Sequence, residues 1–406
     1  MAKKKKKKEE VSIEDMFREI ADQSNGDLLG DLEETKFFID TGNLAVNYIC
    51  SGRFVGGGIP GNRITEVFGP EASGKSLFAA NVMSAAQKGE IWTVLLDCEN
   101  ASNADFMERI SGVDSSRVLR YTPPTLEKSF QQIHVTTKNI RDLEEARGME
   151  KKPIFFVFDS LTVPPCEREL RENDLPMDYS AADWKKVVGR QEQPGERAKI
   201  ISREMRKLQS MVVENDVTVY IVNQIRDKIG VLYGSPETTP GGKAMQFYSS
   251  LRLRTASKKK IENKALGKFA GINLQVKNIK NRSFRPHCVA NDVKLYFEDG
   301  IDCMSGIFLC LFEDERVVAN GAQGNYKVAP EYLADPENDY KFKAKKTDNT
   351  MPMEVIMDNP KLVDVETREE VEAYIQKWNS GFSATASGDY EEQDFTYDAE
   401  GNLIKS

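Results

Sequence analysis

The sequence predicts an α/β protein built around a mostly parallel central sheet, because short apolar runs alternate with longer helical stretches from about residue 37 to about residue 327. The runs are rich in Val, Ile and Phe, which suits strands that are buried on both faces. Four of them stand out: Ile64–Phe68, Trp92–Leu96, Ile154–Phe158 and Val217–Val222. A glycine-rich loop and a predicted helix over Leu77–Lys88 follow the first run, as expected for alternating strands and helices.

The composition is typical of a globular protein that works in water. Of 406 residues, 40% are hydrophobic and 30% are charged, and no apolar run approaches the roughly 20 residues that cross a bilayer. We therefore expect a cytoplasmic protein without a membrane partner. Six cysteines without C-x-x-C spacing and two histidines argue against a structural zinc site. The net charge of −8 argues against a wholly basic DNA-coating protein but not against local DNA-binding surfaces.

Both ends of the chain differ from a core that spans residues 37–328. Residues 1–36 begin with six lysines, Lys3–Lys8, and continue into a short predicted helix with apolar residues at helical spacing. The lysine run is expected to be a solvated basic tail, and a DNA-binding or localisation arm is the alternative.

The C-terminal part is predicted to hold a small domain and a tail. Residues 329–382 are polar and interrupted by prolines, and Thr367–Trp378 reads as one amphipathic helix. Residues 383–406 are poor in large aliphatic residues. They carry six acidic residues and no basic residue between Asp389 and Glu400, which predicts a disordered acidic tail.

A phosphate-binding motif directly follows the first predicted strand. Its residues fit the pattern G-x-x-x-x-G-K-[ST] and are Gly69, Pro70, Glu71, Ala72, Ser73, Gly74, Lys75 and Ser76; we call them the phosphate loop. Backbone N–H groups of such a loop surround phosphate oxygens, and the following helix adds the positive end of its dipole. Lys75 would reach the β- and γ-phosphates of ATP, and Ser76 would place its hydroxyl on Mg²⁺. A purely structural turn is the alternative.

Polar residues follow the other three predicted strands, at the edge where ligands of a parallel sheet bind. Asp159 comes directly after an apolar run and is expected to hold Mg²⁺, usually through water. Glu99 follows a neighbouring strand and would orient and deprotonate the attacking water, while Gln224 would sense the γ-phosphate. Each residue alone is a weak signal because acids often follow strands. Together with the phosphate loop they predict a hydrolytic nucleotide site.

Two longer segments resemble the RecA recombinase family. Residues Gly58–Glu71 look like the segment that leads into the family's nucleotide loop, and Asn223–Lys243 is closer still to the bacterial members. The resemblance covers about residues 37 to 328 and implies a RecA-type ATPase core. It also implies that Glu99 is the catalytic glutamate and that Phe106 stands where the family usually has a tyrosine that stacks on adenine. The alternative for Phe106 is a core aromatic of the next helix.

A pair of cations near the end of the core also matches the family. Lys280 and Arg282 stand where the family carries two cations that reach across the filament interface to the neighbour's ATP. On a strand, residues two apart point the same way. The resemblance implies that they neutralise charge on the transferring phosphoryl in trans, as an arginine finger does. A solvated strand face is the alternative.

The segment after Gln224 is predicted to bind DNA. Residues 225–239, which we call the second DNA loop, and the glycines after them combine cations that neutralise phosphates with N–H groups that bond them directly. Ile229 would wedge between bases. Ser202 and Arg206 lie four apart on a predicted helix and match DNA-contact positions of the family. The other predicted DNA-binding residues are Arg226, Lys228, Gly241, Gly242 and Lys243.

Two further regions are less specific. A first DNA loop is predicted between Leu161 and about Lys199, but it is longer than in the family and does not match it residue by residue, so the family's contacts are not transferred. A basic cluster on a predicted hairpin would either attract duplex DNA or be a solvated surface. Its members are Arg252, Arg254, Lys258, Lys259, Lys260, Lys264 and Lys277.

The residues and the resemblance predict an ATP-dependent DNA recombinase. It would form a helical filament on single-stranded DNA, pair it with homologous duplex DNA and exchange strands, with ATP hydrolysed at subunit interfaces. The N-terminal helix would serve filament packing, and loading or mediator proteins would be further partners. The alternatives are a helicase or motor with the same core fold and a non-catalytic mediator paralogue. The departures in the first DNA loop and the C-terminus are compatible with a bacteriophage version of the family.

Overall fold

The computed structural model describes residues 12–24, 35, 37–100, 103–169, 195–227, 237–263, 267–347, 349–379 and 390–394. The chain divides into two compact units, residues 1–36 and 37–406. In the first unit, Ile13–Ser24 forms helix α1, which confirms the predicted N-terminal helix. Large apolar side chains on α1 are exposed, namely Ile13, Met16, Phe17 and Ile20. Across the described ranges, no helix is both long and apolar enough to span a bilayer.

The second unit alternates strands and helices through most of its length. Its described helices are α2 (Leu44–Ser51), α3 (Lys75–Lys88), α4 (Ala104–Ser111), α5 (Leu126–Ala146), α6 (Glu196–Glu214), α7 (Lys243–Tyr248), α8 (Ile307–Glu313), α9 (Met353–Asp358) and α10 (Arg368–Asn379). Short 3₁₀ turns cover Ser115–Arg117, Pro330–Tyr332 and Pro360–Val363. Its described strands are β1 (Phe38–Ile39), β2 (Ile59–Pro60), β3 (Ile64–Gly69), β4 (Trp92–Asp97), β5 (Val118–Tyr121), β6 (Ile154–Asp159), β7 (Val217–Gln224), β8 (Arg226–Asp227), β9 (Glu237–Thr238), β10 (Leu251–Asn263), β11 (Lys268–Asn281), β12 (Val289–Tyr296), β13 (Gly300–Ile301), β14 (Val317–Ala319), β15 (Asn325–Val328), β16 (Lys341–Lys343) and β17 (Tyr390–Asp394).

A large sheet organises the second unit. Its strands follow the order β13-β12-β11-β10-β3-β7-β6-β4-β5. Neighbours from β10 through β3, β7, β6 and β4 to β5 are parallel. Strands β11, β12 and β13 extend the sheet from β10 in antiparallel fashion. The predicted mostly parallel α/β fold is confirmed, and the antiparallel edge adds a feature that the apolar runs did not predict.

The four apolar runs form the central strands β3, β4, β6 and β7, as predicted. Parallel strands covered on both faces bury successive side chains on alternate sides. On one face, Phe155 and Tyr220 pack into the core that contains Phe78 of α3. On the other face, Phe156 packs into the core that contains Phe130 of α5. The nearly continuous apolar runs therefore follow from helices on both sides of the sheet.

A buried carboxylate ties α5 to the amino ends of three central strands. Glu144 accepts hydrogen bonds from Trp92 Nε1 at 2.8 Å and from the Lys152 backbone N–H at 3.1 Å, and it pairs with Arg141. Arg141 donates to the carbonyl oxygen of Asn215, just before β7, at 2.6 Å. Burial acts to raise the pKa of Glu144, but the hydrogen bonds from Lys152, Arg141 and Trp92 outweigh it and hold that pKa below its ordinary value.

The C-terminal part continues the core. Strands β14, β15 and β16 form an antiparallel sheet. The boundary expected at Val328 is the last residue of β15, so it cuts through this sheet. Val317, Val328 and Trp378 are buried in the same apolar core as α3, so the C-terminal residues pack onto the core instead of forming a core of their own. The helix predicted over Thr367–Trp378 is confirmed as α10.

One stretch of the acidic tail forms a strand, where the composition predicted disorder. Strand β17 pairs antiparallel with residues 259–263 of β10. Because β11 occupies the other edge of β10, β17 lies on the edge that β3 occupies at residues 251–254. The long hairpin of β10 and β11 runs past the end of β3 and offers an edge on which a further strand can pair. Residues 383–389 and 395–406 lie outside the described ranges.

Replacing Glu144 by Gln should lower the free energy of unfolding at neutral pH by about 2 kcal/mol, because hydrogen bonds to a charged acceptor are weakened. The depressed pKa of Glu144 means that its stabilising contribution is present above the unfolded-state pKa and is lost as the pH falls through the folded-state pKa. The difference between the two proteins in urea denaturation should therefore shrink from neutral to acid pH. A difference that stays constant with pH would contradict this account.

Candidate functional site

The carboxyl ends of the parallel strands frame a cavity of about 820 Å³. Ligands of open parallel sheets bind at this edge. The described residues that line it are Glu71, Ala72, Ser73, Gly74, Lys75, Ser76, Leu77, Glu99, Asp159, Ser160, Val222, Gln224, Lys260, Glu262, Phe269, Ile272 and Phe297. The structure thus brings the phosphate loop together with Glu99, Asp159 and Gln224, the three residues predicted from separate strand ends.

The phosphate loop leaves β3 at Gly69, where a side chain would not fit. A Cβ atom on Gly69 would lie 2.3 Å from the carbonyl oxygen of Thr255 and 2.8 Å from Ser73 Oγ. Gly74 has a φ of 74° and opens α3 from the left-handed region that favours glycine. Ser73 Oγ donates to the carbonyl oxygen of Pro70 at 2.8 Å, which closes the loop on itself.

Lys75 is buried within the phosphate loop. It begins α3, two residues before the start predicted from the sequence. Its Nζ donates to the carbonyl oxygen of Gly69 at 3.1 Å. Burial lowers the pKa of Lys75, while Asp159 and Glu99 act in the opposite sense. The ammonium group of Lys75 therefore lies near the carboxylates of Asp159 and Glu99 at the N-terminus of α3, where it is able to neutralise phosphate oxygens.

Asp159 and Ser76 both line the cavity, and the Ser76 hydroxyl lies close enough to Asp159 to act on the pKa of its carboxyl. Asp159 Oδ1 is buried and has no hydrogen-bond partner within the described structure. Burial raises the pKa of Asp159 to about 6, with Glu99 and Asp97 adding to the rise and Ser76 and Lys75 opposing it. A carboxylate oxygen without a partner beside a hydroxyl is the kind of oxygen donor set that Mg²⁺ prefers. The two residues therefore fit the predicted magnesium site.

Glu99 follows β4 and is held from two sides. Ser160 Oγ donates to Glu99 Oε1 at 2.9 Å. The Arg120 guanidinium donates to Asp97 Oδ2 at 2.7 and 3.0 Å and to Asn100 Oδ1 at 2.7 Å, which braces the turn around Glu99. Neither Ser160 nor Arg120 was predicted from the sequence to have a role. Ser160 belongs to the polar pair that follows a predicted strand, whereas no local motif pointed to Arg120.

Gln224 lies between the phosphate loop and the second DNA loop. It is the last residue of β7 and pairs in register with Gly69, the last residue of β3. Its backbone N–H donates to Asn223 Oδ1 at 3.0 Å. Any change in the position of Gln224 therefore acts directly on the residue before it and on the loop after it.

An aromatic wall closes the cavity on the side of the β10–β11 hairpin. Phe269 and Phe297 line it, with ring centroids 5.2 Å apart and an edge-to-face angle of 65°. Neither was predicted from the sequence, because β11, which carries Phe269, and the end of β12, which Phe297 follows, are far from the phosphate loop in the chain. The backbone of Phe106 lies in α4, as the alternative interpretation expected. Its side chain lies outside the described structure. Its predicted contact with adenine stays a prediction.

Lys280 and Arg282 lie away from this cavity, at the end of β11. Lys280 Nζ donates to the carbonyl oxygens of Gln246 at 2.6 Å and Phe247 at 3.1 Å. Arg282 Nη2 donates to the same carbonyl oxygen of Phe247 at 3.2 Å. The two cations reach the same carbonyl, which agrees with the expectation that they point the same way. Burial, together with the positive charges of Arg282 and Arg252, lowers the pKa of Lys280 to about 8.

Several predicted DNA-binding residues share one surface. Ser202 and Arg206 lie on α6, and Arg206 Nε lies 3.5 Å from the hydroxyl of Tyr248 at the end of α7. Gly241 and Gly242 have φ values of 97° and 62° and lead into α7, which Lys243 begins. A Cβ atom on Gly241 would lie 3.2 Å from Ile201 of α6, so the glycines allow α6 and the turn to approach closely.

The second DNA loop is described only at its two ends. Strands β8 and β9 pair antiparallel, with Arg226 opposite Thr238. The side chain of Arg226 lies outside the described structure, as do Lys228 and Ile229. Residues 170–194 of the first DNA loop also lie outside it. The proposed DNA contacts of these residues stay predictions.

The basic cluster expected on the hairpin is smaller than predicted. Arg252 is only 7% exposed and forms an ion pair with Glu66, which is completely buried. Its guanidinium also lies 4.7 Å from the ring centroid of Phe68. Arg252 therefore lies in the interior of the protein. At this residue β10 pairs with β3, so the strand has no solvent-exposed edge there.

Replacing Ser160 by Ala should lower ATP turnover about tenfold, because Glu99 loses a hydrogen bond to its charged carboxylate. The affinity for nucleotide should change little, since the phosphate loop keeps its contacts. Steady-state turnover and equilibrium binding of a fluorescent ATP analogue would measure the two effects. A Ser84→Ala variant, which removes a buried hydroxyl that bonds the Gly112 carbonyl at 3.2 Å, is the matched control. Loss of affinity in step with turnover would contradict an orienting role.

Comparison with known proteins identifies the family. The model of the RecA N-terminal domain matches residues 12–141 and 186–302. Residues 142–185, which include Asp159 and the start of the first DNA loop, fall between the two matched ranges. The matched ranges thus contain the phosphate loop, Glu99, Gln224, Lys280 and Arg282.

Proteins named RecA are similar over much of the chain. The Thermus aquaticus protein is 32% identical over 251 residues, which cover 61% of this chain and 64% of that protein. The Chlorobium chlorochromatii protein is 32% identical over 64% of each chain, so this chain spans less than two thirds of the length of these two relatives. The Chlorobaculum tepidum protein is 31% identical over 71% of this chain and 73% of its own length. With the parallel sheet, the phosphate loop and these matches, the chain belongs to the RecA family.

Proposed function

We propose that this protein is an ATP-dependent DNA recombinase that assembles on single-stranded DNA, pairs it with homologous duplex DNA and exchanges strands in the cytoplasm. One observation carries the proposal: Gln224 lines the nucleotide cavity and is also the residue after which the second DNA loop begins. A nucleotide-sensing residue that is continuous with a DNA-binding loop links hydrolysis to DNA binding. The similarity to proteins named RecA supports the same conclusion.

The cavity supports hydrolysis of ATP. The phosphate loop and Lys75 bind the β- and γ-phosphates, and the N-terminus of α3 adds its dipole. Ser76 and Asp159 would hold Mg²⁺, which neutralises phosphate charge. Glu99, oriented by Ser160, accepts a proton from the attacking water as its oxygen bonds to the γ-phosphorus and the bond to the bridging oxygen breaks.

The surface formed by α6 and the turn into α7 supports a phosphate-binding role. Arg206 and Lys243 are exposed cations, and the exposed Gly242 carries no side chain that would block close approach of a DNA backbone. Ser202 would add a hydroxyl donor. Arg226, Lys228 and Ile229 are proposed to continue this surface along the second DNA loop. Contacts mainly to phosphates leave the reading of sequence to base pairing.

In the proposed filament, the neighbouring subunit supplies the second half of each nucleotide site. Lys280 and Arg282 lie away from their own chain's cavity and together at the end of β11, which suits a role at a neighbour's ATP. An interface that joins two different surfaces repeats into an open helix. The exposed apolar face of α1, with Phe17 at 58% exposure, is proposed to pack on a second copy in the same filament. Electron micrographs of a Phe17→Glu variant on single-stranded DNA should then lack filaments.

A mixing experiment tests the role of the cations in trans. A Glu99→Gln protein and a Lys280→Ala/Arg282→Ala protein should each be inactive, because every interface lacks one essential group. In an equal mixture, about one quarter of the interfaces would join an intact Glu99 to intact cations, and turnover should recover to that extent. Turnover that stays at the sum of the two separate proteins would exclude sharing of the site.

The overall function is tested by ATP turnover with and without single-stranded DNA. The wild type should hydrolyse ATP faster with DNA, and Glu99→Gln should abolish turnover while it still binds ATP. An assay of strand exchange between homologous DNA molecules then separates a recombinase from a helicase of the same fold. Absence of DNA-stimulated turnover in the wild type would favour the non-catalytic mediator instead.

A further inference from the structure

A buried polar network lies behind the nucleotide cavity, and none of its members lines that cavity. Glu66 on β3, Asn223 on β7 and Arg252 on β10 have exposures of 0%, 0% and 7%. Glu66 Oε1 accepts a hydrogen bond from Asn223 Nδ2 at 2.9 Å, and Glu66 Oε2 accepts one from Arg252 Nε. We call these three residues the Glu66 network.

The network reaches the described ends of both DNA loops. Asn223 Nδ2 also donates to the carbonyl oxygen of Pro240 at 3.1 Å, and Arg252 Nη2 lies 3.5 Å from Thr239 Oγ1. Thr239 is the last residue of the second DNA loop. Thr162 Oγ1, at the start of the first DNA loop, donates to Asn223 Oδ1 at 3.1 Å. One buried amide therefore contacts the beginning of one loop and the end of the other.

The same network adjoins the lining of the nucleotide cavity on two strands. Glu66 is on β3, which continues into the phosphate loop at Gly69. Asn223 Oδ1 accepts the backbone N–H of Gln224 at 3.0 Å. A shift of Gln224 toward or away from a phosphate therefore changes the position of the amide that bonds Pro240.

Stability alone does not account for such a network. Removing a carboxylate from water costs several kcal/mol, and well-packed apolar residues are often as stabilising as a buried ion pair. Directional bonds in a dry interior do, however, hold the elements that they join in one fixed arrangement. Here the elements joined are β3, β7, β10 and the described ends of the two DNA loops.

We propose that Glu66, Asn223 and Arg252 are positioning residues that couple the nucleotide state of the cavity to the conformation of the second DNA loop. This inference rests on the proposed function, because it assigns a route between two sites that the proposed function links. Coupling between two binding sites is reciprocal, so the network affects DNA affinity through nucleotide and nucleotide affinity through DNA equally.

The network also ends beside the proposed trans cations. Arg252 is the cross-strand partner of Lys280 in the pairing of β10 with β11. A rearrangement that moves Arg252 therefore acts on the residue proposed to reach the neighbour's ATP.

The test is the affinity of the full-length protein for a labelled single-stranded oligonucleotide, measured by fluorescence anisotropy with a non-hydrolysable ATP analogue and with ADP. The ratio of the two affinities measures the coupling. Glu66→Gln keeps the shape of the side chain and removes its charge, and it should lower the ratio about tenfold. Affinity for the ATP analogue without DNA should stay within about twofold, which a general loss of structure would not allow.

Two further variants keep the test decisive if Glu66→Gln does not fold. Thr162→Val removes a hydroxyl bond to Asn223 without uncovering a buried charge, and it should lower the ratio about threefold. Thr218→Val is the matched control, because its hydroxyl accepts the Asn62 backbone N–H at 3.0 Å at the opposite end of β7. It should leave the ratio unchanged.

The outcomes separate this inference from the proposed function. An unchanged ratio in Thr162→Val and in folded Glu66→Gln overturns the inference and leaves the proposed function standing. An equal fall in Thr218→Val also overturns it, because the effect would then follow stability. A wild type whose DNA affinity is the same with ATP analogue and ADP overturns the proposed function together with the inference.

Discussion

The parallel register of the central strands brings the phosphate loop, Glu99, Asp159 and Gln224 to one edge of the sheet. Gly69 pairs with Gln224 across β3 and β7, and Asp97 pairs with Asp159 across β4 and β6. Since parallel strands end at the same edge, groups from four separate segments meet there without any local contact in the chain. Glu144 and Arg141 bind residues at the amino ends of β4, β6 and β7, so the alignment of these three strands is also fixed at the opposite edge of the sheet.

Charge balance suits the cavity to the magnesium nucleotide that we propose it binds. Lys75 is a desolvated cation, and the raised pKa of Asp159 shows that its carboxylate is poorly compensated by the protein alone. A divalent cation beside Asp159 would compensate its carboxylate, and phosphates beside Lys75 would compensate its ammonium group. Glu99 differs in that Ser160 and the turn braced by Arg120 orient it toward the cavity. Burial thus explains the shifted pKa values of Lys75 and Asp159, and hydrogen bonding explains the orientation of Glu99, the proposed base.

The hairpin of β10 and β11 connects functions that the sequence places in separate motifs. One part of it supplies Phe269 to the wall of the cavity, and another part carries Lys280 toward a different surface. Arg252 lies opposite Lys280 in the pairing of β10 with β11, and it joins the hairpin to β3 through Glu66. The acidic strand β17 pairs on the same hairpin, so the C-terminal tail is also attached to this element. A single long hairpin therefore touches both sides of the proposed subunit interface.

The sequence by itself determined the groups whose signals are local. The apolar runs predicted β3, β4, β6 and β7, the motif located the phosphate loop, and residues after the strands identified Glu99, Asp159 and Gln224 as neighbours, because alternation and spacing act over a few residues. Tertiary structure alone decided the burial of Arg252 against Glu66, the contact of Ser160 with Glu99 and the aromatic wall of Phe269 and Phe297. These contacts join residues far apart in the chain, and whether a charge is solvated or buried depends on which strand packs beside it.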